Sequence, residues 1–215
     1  MLILFLVLVL GYLLGSIPTA IIVSRIVMKD DIRNHGSKNA GATNVFRVMG
    51  WKPALAVVLV DVLKGTAATL LVSKIGADSV PMNPVLIQVL AGTAAIVGHV
   101  WTVFAGFKGG KGVGTALGVF LGLAPIPVAV TFIVWLGLVL KTKIVSVGSL
   151  AAAVVFPTAL VVQKSLFKPD IPNTLVYFSL CLAALIFITH RANIKRLLKG
   201  EENKFGSKKK RTEEK

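Results

Sequence analysis

Residues 31–47 combine cations with glycines and hydrogen-bond donors. If 42–49 forms a short helix that ends at Gly50, Thr43 and Arg47 lie on one face of it, four residues apart. Arg47 would then present a planar, permanent cation to a phosphate group. The preceding loop adds two donors and two glycines that allow a ligand to approach the backbone closely: Ser37, Asn39, Gly36 and Gly41. The alternative is an ordinary capped loop at a membrane surface.

A second segment, 106–112, consists almost entirely of glycine and lysine. Glycine-rich backbone at the start of a helix binds anions through free N–H groups and the helix dipole, and Lys108 and Lys111 add charge to it. The segment is not a Walker A loop, because Ala105 stands where the first glycine belongs and Gly112 replaces Ser or Thr. Nucleotide binding is therefore not indicated. The alternative is a tight turn whose lysines only orient the chain in the membrane.

A third segment carries His190 and Asn193, which share a face if the helix continues through them. A histidine at the end of an apolar run is equally typical of a plain membrane-boundary residue. Ser146 and Ser149 border a short basic turn, and Ser146 alone is best interpreted as a helix cap.

Asp61 and Lys64 stand three residues apart inside an apolar run. Charges within a bilayer are costly and are normally paired. We expect a mutual ion pair inside the helix bundle. In the alternative interpretation Asp61 anchors a lysine or arginine of a loop.

Several kinds of chemistry are missing from the pattern. No histidine is followed by aspartate in an H-x-x-x-x-D arrangement, so the general-base dyad of many acyltransferases is not present. Acidic residues are rare near the basic loops, which leaves magnesium-dependent phosphoryl transfer without ligands. Three scattered histidines and one cysteine make a metal site unexpected and an internal disulfide impossible. We expect no metal and no cofactor, and a site that binds phosphate through cations alone.

Apolar runs must position these segments. Only 15% of the 215 residues are charged and 55% are hydrophobic, whereas a soluble domain is about a quarter charged. A bilayer-spanning helix needs about 20 apolar residues. Seven apolar runs can be drawn: about 2–27, 52–73, 84–104, 112–124, 125–140, 146–164 and 172–190. The fold class expected is all-α, a polytopic integral membrane protein with seven transmembrane helices.

The stretch 112–140 is ambiguous, because it is one long helix or two short ones broken near Pro125 and Pro127. With the break, most of the 24 lysines and arginines lie on the same side of the membrane. The positive-inside rule then favours seven spans, with the N-terminus outside and the C-terminus inside. The same rule accounts for much of the net charge of +15 without nucleic acid as a partner. Residues 1–204 form the membrane domain, and 205–215 are expected to be a basic, disordered cytoplasmic tail near anionic lipid headgroups.

These residues resemble the bacterial acyl-phosphate-dependent glycerol-3-phosphate acyltransferases, the PlsY family. The matching pieces run in order along nearly the whole chain: Gly15-Ser16-Ile17-Pro18; Asp31-Ile32-Arg33; Gly36-Ser37-Lys38-Asn39; Gly41-Ala42-Thr43-Asn44 with Arg47; Asp61 with Lys64-Gly65; Gly98-His99; Phe107 through Gly112; and His190 with Asn193 to Lys204. The resemblance implies a multi-pass enzyme of the bacterial inner membrane whose site faces the cytoplasm. It implies acyl transfer from acyl phosphate to the 1-hydroxyl of glycerol 3-phosphate, which gives lysophosphatidic acid and phosphate for phospholipid synthesis.

The resemblance also assigns residues to roles. Ser37, Asn39, Thr43 and Asn44 would hold a substrate phosphate, together with the backbone of Gly36, Gly41, Gly109 and Gly110. Glycerol 3-phosphate would be held by Arg47, by Lys108 or Lys111, and by His190 and Asn193. Four points stay open: the choice between the two lysines, the part played by Ser146 or Ser149, the acyl-chain preference and the oligomeric state.

A transporter or channel for a phosphorylated metabolite is the rival interpretation, since membrane cation clusters also line anion pathways. Against it, no inverted repeat is visible and the basic groups cluster at one face rather than at mid-membrane.

Overall fold

The computed structural model describes residues 1–77 and 79–204. The tail expected over 205–215 lies outside the described residues. Within them the chain is helical: α1 (Leu2–Gly15), α2 (Thr19–Met28), α3 (Ala42–Met49), α4 (Trp51–Ala67), α5 (Lys74–Ala77), α6 (Pro84–Val100), α7 (Val113–Leu123), α8 (Pro125–Thr142), α9 (Val145–Leu166), α10 (Asn173–Thr189) and α11 (Arg191–Leu198). A π-helical segment, Ala68–Val72, joins α4 to α5, and single 3-10 turns occur at Ile32–Asn34 and Val103–Ala105.

A break at Pro18 divides the first apolar run into α1 and α2. Proline has no N–H and its ring excludes the helical carbonyl four residues earlier, so the helix stops there. At this break the Ile17 carbonyl accepts the Thr19 N–H at 3.0 Å and also a hydrogen bond from the ammonium of Lys64 at 3.0 Å. A polar contact between the first and second apolar runs follows directly from this one proline.

Glycines bring the membrane helices into close contact. A Cβ at Gly15 would lie 2.0 Å from the Ala95 carbonyl oxygen, so α1 and α6 pack backbone against backbone. A Cβ at Gly65 would lie 2.2 Å from the Thr115 carbonyl oxygen, which brings α4 equally close to α7. Small residues serve this purpose in membrane proteins, where apolar burial does not drive helices together.

The break expected near Pro125 is present. Ala124 has φ −151° and ψ 69°, and it ends α7 and begins α8. Pro125 takes the first position of α8, where its missing N–H costs nothing. A single helix over 112–140 is therefore wrong.

Five helical stretches are long and apolar enough to span a membrane: Leu2–Met28, Trp51–Ala77, Pro84–Ala105, Pro125–Thr142 and Val145–Leu166. The pair α10 and α11, bent by 61°, forms a sixth if it is one span, and α7 is a shorter apolar helix. Large apolar side chains cover the outer faces of these helices; Ile133, for example, is 70% exposed. The chain is an all-helical, multi-pass integral membrane protein with five or six candidate spans in its described part.

Candidate active site

A cavity of about 310 Å³ opens among α3, α4 and α7 to α10. Its polar lining includes Arg47, Lys111, His190 and Asn193. From His190 the lining continues along α10 to Ser179, eleven residues or about 16 Å. The side chains along this length are mostly apolar: Phe120, Phe132, Trp135, Phe156 and Leu182. The cavity therefore joins a cationic region to an apolar channel between helices.

Helix α3 begins at Ala42 and ends before Gly50, whose φ is +87°, as the sequence predicted. Thr43 and Arg47 both line the cavity. An Nη2 hydrogen of Arg47 is donated to the Asn203 carbonyl at 3.3 Å. Burial lowers the pKa of the Arg47 guanidinium, and nearby Glu202 opposes that shift. An arginine stays charged under such a shift, so Arg47 supplies a fixed cation.

Asn44 holds the loop before α3 in place. Its buried side-chain NH₂ group lies 3.0–3.1 Å from the carbonyls of Ile32, His35 and Asn39, and its side-chain oxygen accepts the Ser37 N–H at 2.8 Å. The two hydrogens of the NH₂ group are thereby used. Asn44 lines the cavity, but its contacts shape the loop and leave it no free donor for a phosphate.

Arg33 connects this loop to the glycine segment. Its guanidinium forms an ion pair with Asp31 at 2.8 Å and donates to the Ala105 carbonyl at 2.9 Å and the Lys108 carbonyl at 3.4 Å. The hydrogen bonds to Asp31 raise the pKa of Arg33, and those from Arg33 lower the pKa of the Asp31 carboxyl. The two polar segments are thus held together outside the cavity.

The two lysines of the glycine segment differ in environment. Lys108 is exposed, whereas Lys111 lines the cavity. The N–H groups of Gly109 and Gly110 are donated to the carbonyls of Val100 and His99, both at 3.1 Å. Those N–H groups are not free for an anion, so the glycines pack the segment against the end of α6 and bring Lys111 to the cavity.

The Lys111 ammonium donates a hydrogen bond to the side-chain oxygen of Asn193. Burial lowers the pKa of Lys111 to about 8, with Glu202 opposing the shift and Arg196 and Arg47 adding to it. Lys111 is therefore charged at neutral pH and titrates just above it.

His190 lies at the bend between α10 and α11. Its Nδ1 is 2.8 Å from the Ile186 carbonyl oxygen, so Nδ1 carries the hydrogen of that bond. Burial, followed by the charge of Lys111, lowers the pKa of His190 to about 4. The imidazole is neutral at pH 7, a weak base and not a cation.

Glu202 was missed by the sequence interpretation, which assigned it no role. The carboxylate is buried, accepts the Asn193 side-chain N–H at 3.1 Å and pairs with Arg196 Nε at 3.0 Å. A left-handed turn at Gly200, with φ +71°, folds the chain back so that Glu202 reaches Asn193. An isolated glycine after the last helical residue followed by two glutamates was the available signal.

The chain matches the family model described as glycerol-3-phosphate acyltransferase over residues 5–200. This chain belongs to the glycerol-3-phosphate acyltransferase family. A relative of that name from Chlorobaculum parvum is 44% identical, with 91% of this chain and 93% of the relative covered. Another from Chlorobaculum tepidum is 42% identical, with coverage of 94% and 97%.

Two solved structures share the fold. The glycerol 3-phosphate form of PlsY (YgiH), an integral membrane glycerol 3-phosphate acyltransferase, superposes with a TM-score of 0.81 at 36% identity and covers 94% of this chain and 96% of that chain. The lysophosphatidic acid form of the same enzyme gives 0.77 at 37% identity, with coverage of 94% and 95%. The chain is therefore an acyltransferase, and the transporter interpretation is set aside.

Ser146 is not the helix cap expected from its position. In this acyltransferase α9 begins at Val145 with Ile144 as its N-cap, so Ser146 is already the second helical residue. The buried Ser146 hydroxyl lines the cavity and has no hydrogen-bond partner among the described residues. Ser149 also lines the cavity and donates to the Val145 carbonyl at 3.2 Å.

The fold brings most of the expected site residues to one cavity: Ser37, Asn39, Gly41, Thr43, Asn44, Arg47, Lys111, Ser146, Ser149, His190 and Asn193. Four others are not part of its lining: Gly36, Lys108, Gly109 and Gly110. Gly36 has φ +57°, and a Cβ there would lie 2.4 Å from the Asn44 side-chain oxygen. The conformation of the loop therefore requires glycine at this position. The expected ion pair of Asp61 with Lys64 is confirmed at 2.8 Å.

Proposed function

We propose that this acyltransferase moves an acyl group from acyl phosphate to the 1-hydroxyl of glycerol 3-phosphate, giving lysophosphatidic acid and inorganic phosphate. The observation that carries the proposal is the cavity itself, in which Arg47 and Lys111 stand at the polar end of an apolar channel about 16 Å long. A molecule with a phosphate head and a fatty acyl chain matches both parts. The solved PlsY forms named for glycerol 3-phosphate and lysophosphatidic acid support this assignment.

The acceptor's phosphate binds to Arg47 and Lys111, with Asn193 and the neutral His190 as hydrogen-bonding neighbours. Lys111 is preferred over Lys108 because it lines the cavity and Lys108 is exposed. The donor's phosphate binds beside Ser37 and Asn39, from the loop before α3, and beside Thr43 in the first turn of α3. The unpartnered Ser146 hydroxyl is available to either substrate.

Catalysis consists mainly of holding two phosphate-bearing molecules together and stabilising negative charge. The glycerol hydroxyl oxygen attacks the acyl carbon, and the bond from that carbon to the phosphate oxygen breaks. The departing phosphate takes the hydroxyl proton. This route suits a site where His190, with its pKa lowered to about 4, is a weak base and where Asp61 is already paired with Lys64.

The membrane arrangement completes the proposal. With α7 as a short, thin span between the glycine segment and Ala124, residues 1–204 cross the bilayer seven times, with the N-terminus outside and the C-terminus inside. The site then faces the cytoplasm, where a soluble phosphate ester meets a donor whose chain lies in the membrane. The clustering of Arg47, Lys111 and Arg196 at one end of the bundle supports this orientation through the positive-inside rule.

Purified enzyme in detergent, supplied with acyl phosphate and glycerol 3-phosphate, should release phosphate and form lysophosphatidic acid, whereas acyl-CoA should not replace the donor. Arg47→Ala should reduce kcat/KM by roughly 100-fold, because a charge-assisted contact contributes about 1.5–3 kcal/mol. Arg191→Ala, on the exposed start of α11, is the matched control and should change it little. No release with any acyl-chain length, or equal effects of the two substitutions, would overturn the assignment.

A further inference from the structure

A buried ion pair lies inside the membrane domain, and the proposed reaction makes no direct use of it. The side chains of Asp61 and Lys64 are 6% and 2% exposed, and Asp61 Oδ1 lies 2.8 Å from Lys64 Nζ. Charges at such depth are costly, and they are rare unless they have a function. The pair neutralises itself, but neutrality alone is more easily reached with two apolar side chains.

Each member of the pair has further contacts. Lys64 Nζ also donates at 3.0 Å to the Ile17 carbonyl, which lies at the proline break between α1 and α2. The Thr19 hydroxyl donates to Asp61 Oδ1 at 3.3 Å. The same oxygen, Asp61 Oδ1, lies 3.5 Å from His99 Nδ1, and that ring is 7% exposed.

His99 connects the pair to the glycine segment. Its carbonyl accepts the Gly110 N–H at 3.1 Å, and a Cβ at Gly110 would lie only 2.3 Å from its Nε2. Asp61, Lys64, His99, Gly109 and Gly110 all line one small cavity of about 10 Å³, and Asp61 and His99 also border the larger cavity that holds Arg47 and Lys111. The residue that follows Gly110 is Lys111, so the ring of His99 lies against the backbone that carries the proposed phosphate-binding cation.

We propose that Asp61 is a positioning residue for acyl transfer: it orients His99, which fixes the backbone before Lys111, while Lys64 supplies the counter-charge that makes Asp61 tolerable in the bilayer. The inference rests on the proposed function, since it takes Lys111 as a binding group for glycerol 3-phosphate. Neither Asp61 nor Lys64 touches the acceptor in this scheme. They affect the binding of glycerol 3-phosphate only through the position of the backbone that carries Lys111.

The test removes both charges at once. Asp61→Leu alone leaves the buried charge of Lys64 without its counter-charge and should destabilise the protein, whereas Asp61→Leu with Lys64→Met restores neutrality with apolar groups. The double variant in detergent should unfold thermally close to the wild type. Its KM for glycerol 3-phosphate should rise about 10- to 100-fold, since small displacements of a binding group have effects of this size, while its KM for acyl phosphate stays near the wild-type value.

A second pair of variants keeps both charges. His99→Asn retains a side-chain N–H near the Nδ1 position and should preserve much of the affinity for glycerol 3-phosphate, while His99→Leu should lose it. This comparison decides the matter if the double variant does not fold. Wild-type kinetics in the double variant, or equal kinetics in the two His99 variants, would overturn the inference. Wild-type enzyme that fails to use acyl phosphate with glycerol 3-phosphate would instead overturn the proposed function, before any variant is compared.

Discussion

The titration of Lys111 yields the sharpest prediction. Its pKa is lowered to about 8, mainly by burial, so its charge disappears just above neutral pH. If Lys111 binds the phosphate of glycerol 3-phosphate, affinity should be constant from about pH 6.5 to 7.5 and should fall as pH rises through 8. Lysine carries its positive charge below its pKa and loses it above, so the affinity should fall on the alkaline side.

The size of the effect follows from the charged fraction. A group with a pKa of about 8 is about 90% charged at pH 7 and about 9% charged at pH 9. The dissociation constant for glycerol 3-phosphate should therefore rise roughly tenfold between those pH values, or about 1.4 kcal/mol. Other groups contribute little to the pH dependence of this constant between pH 7 and 9. The phosphate loses its second proton near pH 6, and the pKa of His190 is lowered to about 4.

Isothermal titration calorimetry in detergent, without the acyl donor, measures this constant while avoiding alkaline hydrolysis of acyl phosphate. Lys111→Arg replaces the titrating group by one that stays charged, so the rise above pH 8 should vanish. Lys108→Arg makes the same change at the exposed lysine and should leave the rise intact. A flat profile in the wild type, or an unchanged rise in Lys111→Arg, would refute the reasoning. If Lys108→Arg abolished the rise, Lys108 would be the lysine that binds the phosphate.

Two further predictions concern Glu202 and the orientation. Glu202→Ala should lower kcat/KM for glycerol 3-phosphate about tenfold, because it leaves the buried Asn193 amide without its acceptor; a similar loss in Glu201→Ala, an exposed neighbour, would contradict this. The second prediction concerns the orientation. In a Cys181→Ser background, the thiol introduced by Lys199→Cys should not be labelled by a membrane-impermeant maleimide in intact spheroplasts and should be labelled only after lysis. Labelling before lysis would reverse the proposed orientation.

Local sequence signals predicted the elements that carry the site. Helix α3 ends at Gly50 because glycine accepts a positive φ without strain. The break at Ala124 follows from the two prolines after it, and the ion pair of Asp61 with Lys64 follows from their spacing on one helix face. Each of these signals lies within a few residues of its effect.

The same local reasoning failed at Ser146 and did not find Glu202. A serine near a helix start is usually a cap, but α9 begins at Val145, so Ser146 lies inside the helix and its hydroxyl lines the cavity without a partner among the described residues. Glu202 depends on the reversal at Gly200, because only the folded-back chain places a carboxylate beside Asn193.

The sequence by itself determined that this is a helical membrane protein with a cationic, glycine-rich face, since hydrophobicity and charge are properties of each segment alone. The tertiary structure decided which cations reach the cavity. Lys108 and Lys111 are equivalent in the sequence, and they separate only because Gly109 and Gly110 pack against the end of α6. Lys111 then meets Asn193, 82 residues later in the chain. Contacts at that separation depend on how the helices pack, which no local pattern specifies.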